Sequence, residues 1–164
     1  MRPTPHKTKK DQESVWDYPR PPRLEVVPKL IRVEFNSTYI AETRSAYRVL
    51  ETSHPPVYYI PPHDIKMEFL KPVNEISWCE WKGEGHYYNV VVGNKRAARA
   101  AWYYPEPVNV FKDITNYIAF YARLMDACYI DEERVQPQPG EFYGGWITND
   151  IVGPFKGEAG SWGW

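Results

Sequence analysis

The segment Trp78-Cys79-Glu80-Trp81-Lys82-Gly83-Glu84 sets a carboxylate and an ammonium two residues apart, among two indoles and a thiol. Side chains on a strand alternate between its faces, so Trp78, Glu80 and Lys82 would share one face and Cys79 and Trp81 the other. That set suits either recognition of a polar ligand beside an indole or a solvent-facing ion pair, the commoner fate of charges on one strand face. A second group is Leu50-Glu51-Thr52-Ser53-His54-Pro55-Pro56-Val57-Tyr58-Tyr59-Ile60-Pro61-Pro62. It carries Glu51, His54 and Tyr59 on backbone stiffened by proline, which can hold a side chain for binding. The plainer account of the same residues is an exposed loop histidine and a strand ended by Pro-Pro. The third group is Ala101-Trp102-Tyr103-Tyr104-Pro105-Glu106-Pro107, with Phe120-Tyr121 further on. Alternating aromatics usually form core, yet Tyr and Trp each keep a polar handle that suits a pocket wall.

Two chemistries follow. In a binding protein, Tyr59, Trp78, Trp81, Trp102, Tyr104 and Tyr121 are the walls and Glu51, Glu80 and Lys82 the polar determinants of a site for a small polar or planar ligand. In an enzyme, Lys82 is a nucleophile or phosphate clamp and Glu51 or Glu80 its acid–base partner. Lys82-Gly83-Glu84-Gly85 resembles the K-x-D-G lysine-adenylation motif with Glu for Asp, but Phe155-Lys156-Gly157-Glu158 shows how cheaply such a string recurs. A Walker A loop, a G-x-G-x-x-G loop and a D-x-D pair are all lacking. The two cysteines, Cys79 and Cys128, are far apart and the four histidines are scattered, so neither a metal nor a cofactor is expected.

The composition narrows the setting. The 164 residues hold 20 Lys+Arg against 21 Asp+Glu, for a net charge of -1, without the basic excess of a nucleic-acid binder. No apolar run reaches the ~20 residues of a membrane span, and the N-terminus is not signal-like. The expectation is a reduced, cytoplasmic protein with a small-molecule partner, binding neither nucleic acid nor membrane. The surplus lies in rings and prolines: 7 Trp, 13 Tyr, 6 Phe and 16 Pro, the last about twice the usual share.

The elements that must position these groups read as mostly β. Residues 1–14 are basic and poor in large apolar side chains, as in a disordered tail. A proline-rich arm follows over 15–29. Ile31, Val33 and Phe35 alternate with charged residues up to an Asn36-Ser37 turn, which predicts a hairpin. Arg44–Thr52 fits a short helix or tight turn, with a strand as the alternative. Val57–Ile60, fenced by proline pairs, fits an edge strand. Residues 75–104 read as a three-stranded meander, Asn109–Thr115 as a helical turn, and Tyr117–Ile130 as strands by their β-branched and aromatic content. Residues 136–164, rich in Gly and aromatics, read as an irregular wrap that packs back on the body. A structural or adaptor role through these two arms, including a homodimer, is the third class of function.

In order and spacing, these strings resemble the bacterial domain-of-unknown-function family 427. Those carrying the resemblance are Leu50–Pro61, Cys79-Glu80-Trp81-Lys82-Gly83-Glu84, Ala101–Pro107, Ile118-Ala119-Phe120-Tyr121, and the closing Phe142–Thr148 and Asp150–Gly157. The resemblance spans about residues 15 to 164. It implies a single antiparallel β-tent domain over 15–164, similar to Mss4-like proteins, methionine-R-sulfoxide reductases and the cereblon ligand-binding domain, with irregular arms and one or two short helical turns. Those relatives usually carry a four-cysteine zinc site, whose cysteines this chain lacks. The family also bears a predicted-nucleotidyltransferase label, whose carboxylate pair is absent here. In ligand-binding tents the pocket lies between two sheets and is lined by aromatics.

Overall fold

The computed structural model describes residues 2–164. Along the chain, β1 (Glu13–Ser14) and β2 (Arg23–Val27) precede the hairpin of β3 (Ile31–Phe35) and β4 (Thr38–Thr43). Then come β5 (Ala46–Leu50), β6 (Val57–Tyr59) and the three long strands β7 (Leu70–Cys79), β8 (Gly83–Val92) and β9 (Lys95–Tyr103). Short strands finish the chain: β10 (Ala119–Phe120), β11 (Ala127–Ile130), β12 (Glu133–Arg134), β13 (Gln136–Pro137), β14 (Trp146–Ile147) and β15 (Ile151–Val152). The helical segments are short 3-10 turns, five in the described residues where one or two were expected, the longest of them, Asn109–Ile114, kinked at Phe111. None is long and apolar enough to cross a membrane.

Two four-stranded sheets, in the orders β10-β9-β8-β7 and β12-β11-β3-β4, and a three-stranded sheet, β2-β5-β6, are all antiparallel. The mainly β character and the meander are as the sequence predicts, in an arrangement consistent with a β-sandwich or tent. The Asn36-Ser37 turn is made with both residues at positive φ, 50° and 62°, which matches the twist of the two strands it joins. Pro72 sits in β7, an edge strand, where proline is tolerated, and the register with β8 shifts just after it.

Three expectations are corrected. Arg44–Thr52 is no helix: Ala46–Leu50 is the central strand of the small sheet, paired with β2 on one side and β6 on the other. Two neighbours satisfying its backbone outweigh the helical spacing of Ala46, Val49 and Leu50. Tyr117–Ile130 is not strand throughout, because a 3-10 turn at Ala122–Leu124 separates β10 from β11. Within the 1–14 stretch read as a disordered tail, of which Met1 lies outside the described residues, Glu13 and Ser14 pair in parallel with Ile151 and Val152, and the His6 N–H donates to the Gly153 carbonyl (2.9 Å). The returning C-terminal segment supplies the partners that a free tail would lack.

Strand alternation divides the rings between two cores. In β6, Tyr58 enters the main core and stacks on Trp146 (centroids 5.2 Å apart), while Tyr59 turns the opposite way into a second, aromatic cluster. In β9, Ala101 faces the main core, and Trp102 joins Tyr104, just past the strand, in that second cluster. A third cluster of Val15, Trp16, Tyr18, Leu50 and Ile151 clasps the two arms together.

Candidate functional site

The second cluster floors a cleft of about 520 Å³. Tyr59, Trp102 and Tyr104 are all buried at its base. Tyr59 meets Trp102 edge to face (6.4 Å, 85°), and Trp102 lies against Tyr121 at 4.5 Å, geometries that aromatic pairs favour. Burial pushes the Tyr59, Tyr104 and Tyr121 hydroxyls above the ordinary phenol range, so each stays protonated as a donor.

All nine residues singled out from the sequence line this cleft: Glu51, Tyr59, Trp78, Glu80, Trp81, Lys82, Trp102, Tyr104 and Tyr121. The face assignment that brought some of them forward is nevertheless wrong. β7 ends at Cys79, and Glu80-Trp81-Lys82 is the turn into β8, so alternation stops before Glu80. Gly83 takes φ +105°, open to glycine but strained for other residues, and the Lys82 carbonyl accepts from Val108 N–H (3.1 Å). The chain therefore folds inward at the turn. Trp78, predicted on the face of Lys82, is 75% exposed at the rim, whereas Lys82 is only 8% exposed. Glu84 of the K-x-D-G-like string is exposed and paired with His86 (2.8 Å).

The Lys82 ammonium lies 5.9 Å from the centroid of Tyr104 and 5.8 Å from that of Phe111. Ring faces attract a cation but offer no conventional acceptor to its three N–H groups. Among the described residues it has no ion pair and no hydrogen bond. The other two cations of the lining are engaged. Arg20 donates to the Thr52 carbonyl (2.7 Å) and stands 3.4 Å from Glu51, and Lys156 donates to the carbonyls of Trp162 and Trp164, both at 2.9 Å. Burial raises the Glu51 carboxyl above its usual range, with Lys82 the first of the cations opposing that shift.

His54 also lines the cleft, and its tautomer is fixed by a neighbour. The Gly145 N–H donates to Oε1 of Gln138 (3.0 Å), which makes the other end of that amide the NH2 group. That NH2 serves the Lys156 carbonyl (2.9 Å) and Nδ1 of His54 (3.1 Å). Nδ1 is thus an acceptor, and the proton of the neutral ring sits on Nε2, 3.7 Å from Glu51. Burial, reinforced by Arg20, Lys156 and Lys82, holds the imidazole down to about 3, so it is neutral at physiological pH.

Sequence reading missed Arg20, Gln138, Tyr143, Gly144 and Lys156, and left His54 as a loop histidine. All come to the cleft from the arms or from the turn beneath them. The one available signal was the surplus of rings and glycines in 136–164, which predicted packing but not on what.

A larger groove, about 650 Å³, includes Asp11, Glu13, Glu25, Asp131 and Glu132 in its lining. Arg48 is already paired there with Glu13 and Glu25, both at 2.7 Å. No group of three or more His, Cys, Asp or Glu among the described residues is arranged to hold a metal. The cleft with the unanswered ammonium is therefore the candidate site.

No curated protein matches the chain. A family model described as "Domain of unknown function (DUF427)" matches residues 23–131. That stretch holds the cleft floor, the Lys82 turn, Glu51 and His54, whereas Arg20, Gln138, Tyr143, Gly144 and Lys156 lie outside it. The match covers more than half of the chain, which belongs to the DUF427 family.

Proposed function

We propose that this is a cytoplasmic binding protein that takes a small polar, planar ligand into the aromatic cleft. The observation that carries this reading is Lys82, a residue only 8% exposed whose ammonium opens into the cleft with ring faces around it but no protein acceptor among the described residues. A largely buried cation whose tip meets only cleft solvent is costly to keep, and a protein that retains one commonly does so for function. Rings at the floor and rim offer a planar group apolar contact on more than one side. The free thiols Cys79 and Cys128 accord with a reducing compartment.

The test is a thermal-shift screen of planar metabolites against the full chain. A ligand present at a hundred times its dissociation constant stabilises the fold by about 2.7 kcal/mol, which is readily seen. The reading fails if no compound stabilises the protein, or if Lys82→Ala leaves the affinity of a hit unchanged. The raised Glu51 carboxyl favours a second reading, an enzyme in which Glu51 moves a proton beside Lys82. Recovery of every hit chemically unaltered after prolonged incubation would count against it.

A further inference from the structure

We propose that the ligand of this cleft is an aromatic acid, a planar ring bearing one carboxylate, with Lys82 as its counterion and His54 as a second, neutral donor. This rests on the binding reading above and names the ligand class. The Lys82 ammonium has donors to give and no protein acceptor among the described residues. The His54 ring presents its Nε2–H on the side of Glu51, because Gln138 occupies Nδ1. Glu51, the half-buried carboxylate of the lining, faces Arg20 at 3.4 Å and His54 at 3.7 Å and makes no ion pair with Lys82. Glu80 is exposed at the turn. What the cleft lacks is an acceptor beside Lys82, and a ligand oxygen supplies it.

The charge of that oxygen-bearing group follows from its surroundings. An anion on a partly buried ammonium makes a charge-assisted hydrogen bond, about twice as strong as a neutral one. A dianionic phosphate suits a bidentate Arg fork or the N-terminus of a helix. Here Arg20 is engaged, the helical segments are short 3-10 turns of at most six residues, and Glu51 and Glu80 oppose a second negative charge. One negative charge spread over two oxygens fits one ammonium and one imidazole N–H. The rest of the ligand meets Trp102, Tyr59 and Tyr121, so it is a ring.

The experiment uses matched probes on the full chain by isothermal titration: indole-3-acetate, its neutral amide indole-3-acetamide, and phenyl phosphate. The expected result is that the acid binds at least tenfold more tightly than the amide and more tightly than the phosphate. Lys82→Met should abolish the acid-over-amide preference, and Lys82→Arg, which keeps the charge, should retain most of it. Thermal melts of both variants confirm that they fold. Equal affinity for acid and amide, or an undiminished preference in folded Lys82→Met, overturns the aromatic-acid assignment while leaving ring binding standing. Tighter binding of the phosphate overturns the carboxylate choice. Failure of all three probes overturns the assignment too, and the broader binding reading falls with it only if the metabolite screen is also blank.

Discussion

The six-membered ring of Trp102 lies against the backbone of Gly144: a Cβ at that glycine would fall 2.3 Å from Cη2 and 2.9 Å from Cζ3. Trp102 is itself held between Tyr59 and Tyr121 and cannot yield cheaply. Gly144→Ala should therefore lift the wrap from the cleft wall and destabilise the protein by about 1–3 kcal/mol, the usual range for overpacking. Gly163, which has nothing within 4 Å of a built Cβ, supplies the control. Thermal denaturation of the two alanine variants checks this, and equal melting temperatures would show that the wrap adapts freely.

Acid should weaken the fold through His54. In the unfolded chain the imidazole takes up its proton near 6.5, whereas in the fold it resists until about 3. Between those values the unfolded state binds more protons, so stability falls as pH drops, by an amount of the order of a few kcal/mol across the whole window. Glu51 acts with the opposite sign. Its carboxyl is raised above 4.5 in the fold, so its contribution is present at low pH and is lost as pH rises past that value. Melting temperatures of wild type and His54→Gln between about pH 7 and pH 4 separate the two effects. The variant should lose most of the acid sensitivity, and parallel curves would show that His54 is not its source.

A site kept for function is expected to weaken the empty protein. Lys82→Met retains the side-chain length and removes a partly buried ammonium that lacks a protein acceptor, so the ligand-free variant should be more stable than wild type by about 1 kcal/mol. Urea unfolding measures the difference. A loss of stability would mean that the cation lying over Tyr104 and Phe111 is a structural contact in its own right.

Arg48 joins an arm to the sheet. Its guanidinium reaches Glu13 of β1 and Glu25 of β2, and the Tyr18 hydroxyl donates to the same Glu13 (2.6 Å). Both carboxylates are more than a third exposed, so solvent screening limits the loss in Arg48→Met to about 1–2 kcal/mol. The N-terminal segment should also be cut faster by protease. Limited proteolysis reads this directly, and an unchanged digestion rate would assign the hold on β1 to its pairing with β15 alone.

These residues also show how far the sequence could be read. The meander, the Asn36-Ser37 hairpin and the edge position of Val57–Tyr59 follow from alternation and proline placement, which are local properties. β5 escapes a local reading because a strand between two partners is decided by neighbours distant in sequence, a contribution that no window around Ala46 contains. The nine cleft residues emerged from residue type more than from geometry. Lys82 is inward because a turn interrupts the strand, not because it shares a face with Trp78. Gln138 reaches His54 across 84 positions and Lys156 lies farther still, so nothing around His54 announces its tautomer.

The two walls of the cleft come from separate lengths of chain. The floor and the Lys82 turn belong to the β body, and the facing wall is built from Arg20 and the segment after Gln138. Such a site resembles a vice with one fixed and one exchangeable jaw. Grafting a different C-terminal wrap onto residues 23–131 should change which ring substituents are admitted while leaving the ammonium and its anion preference in place, so the arms are the natural place to engineer selectivity.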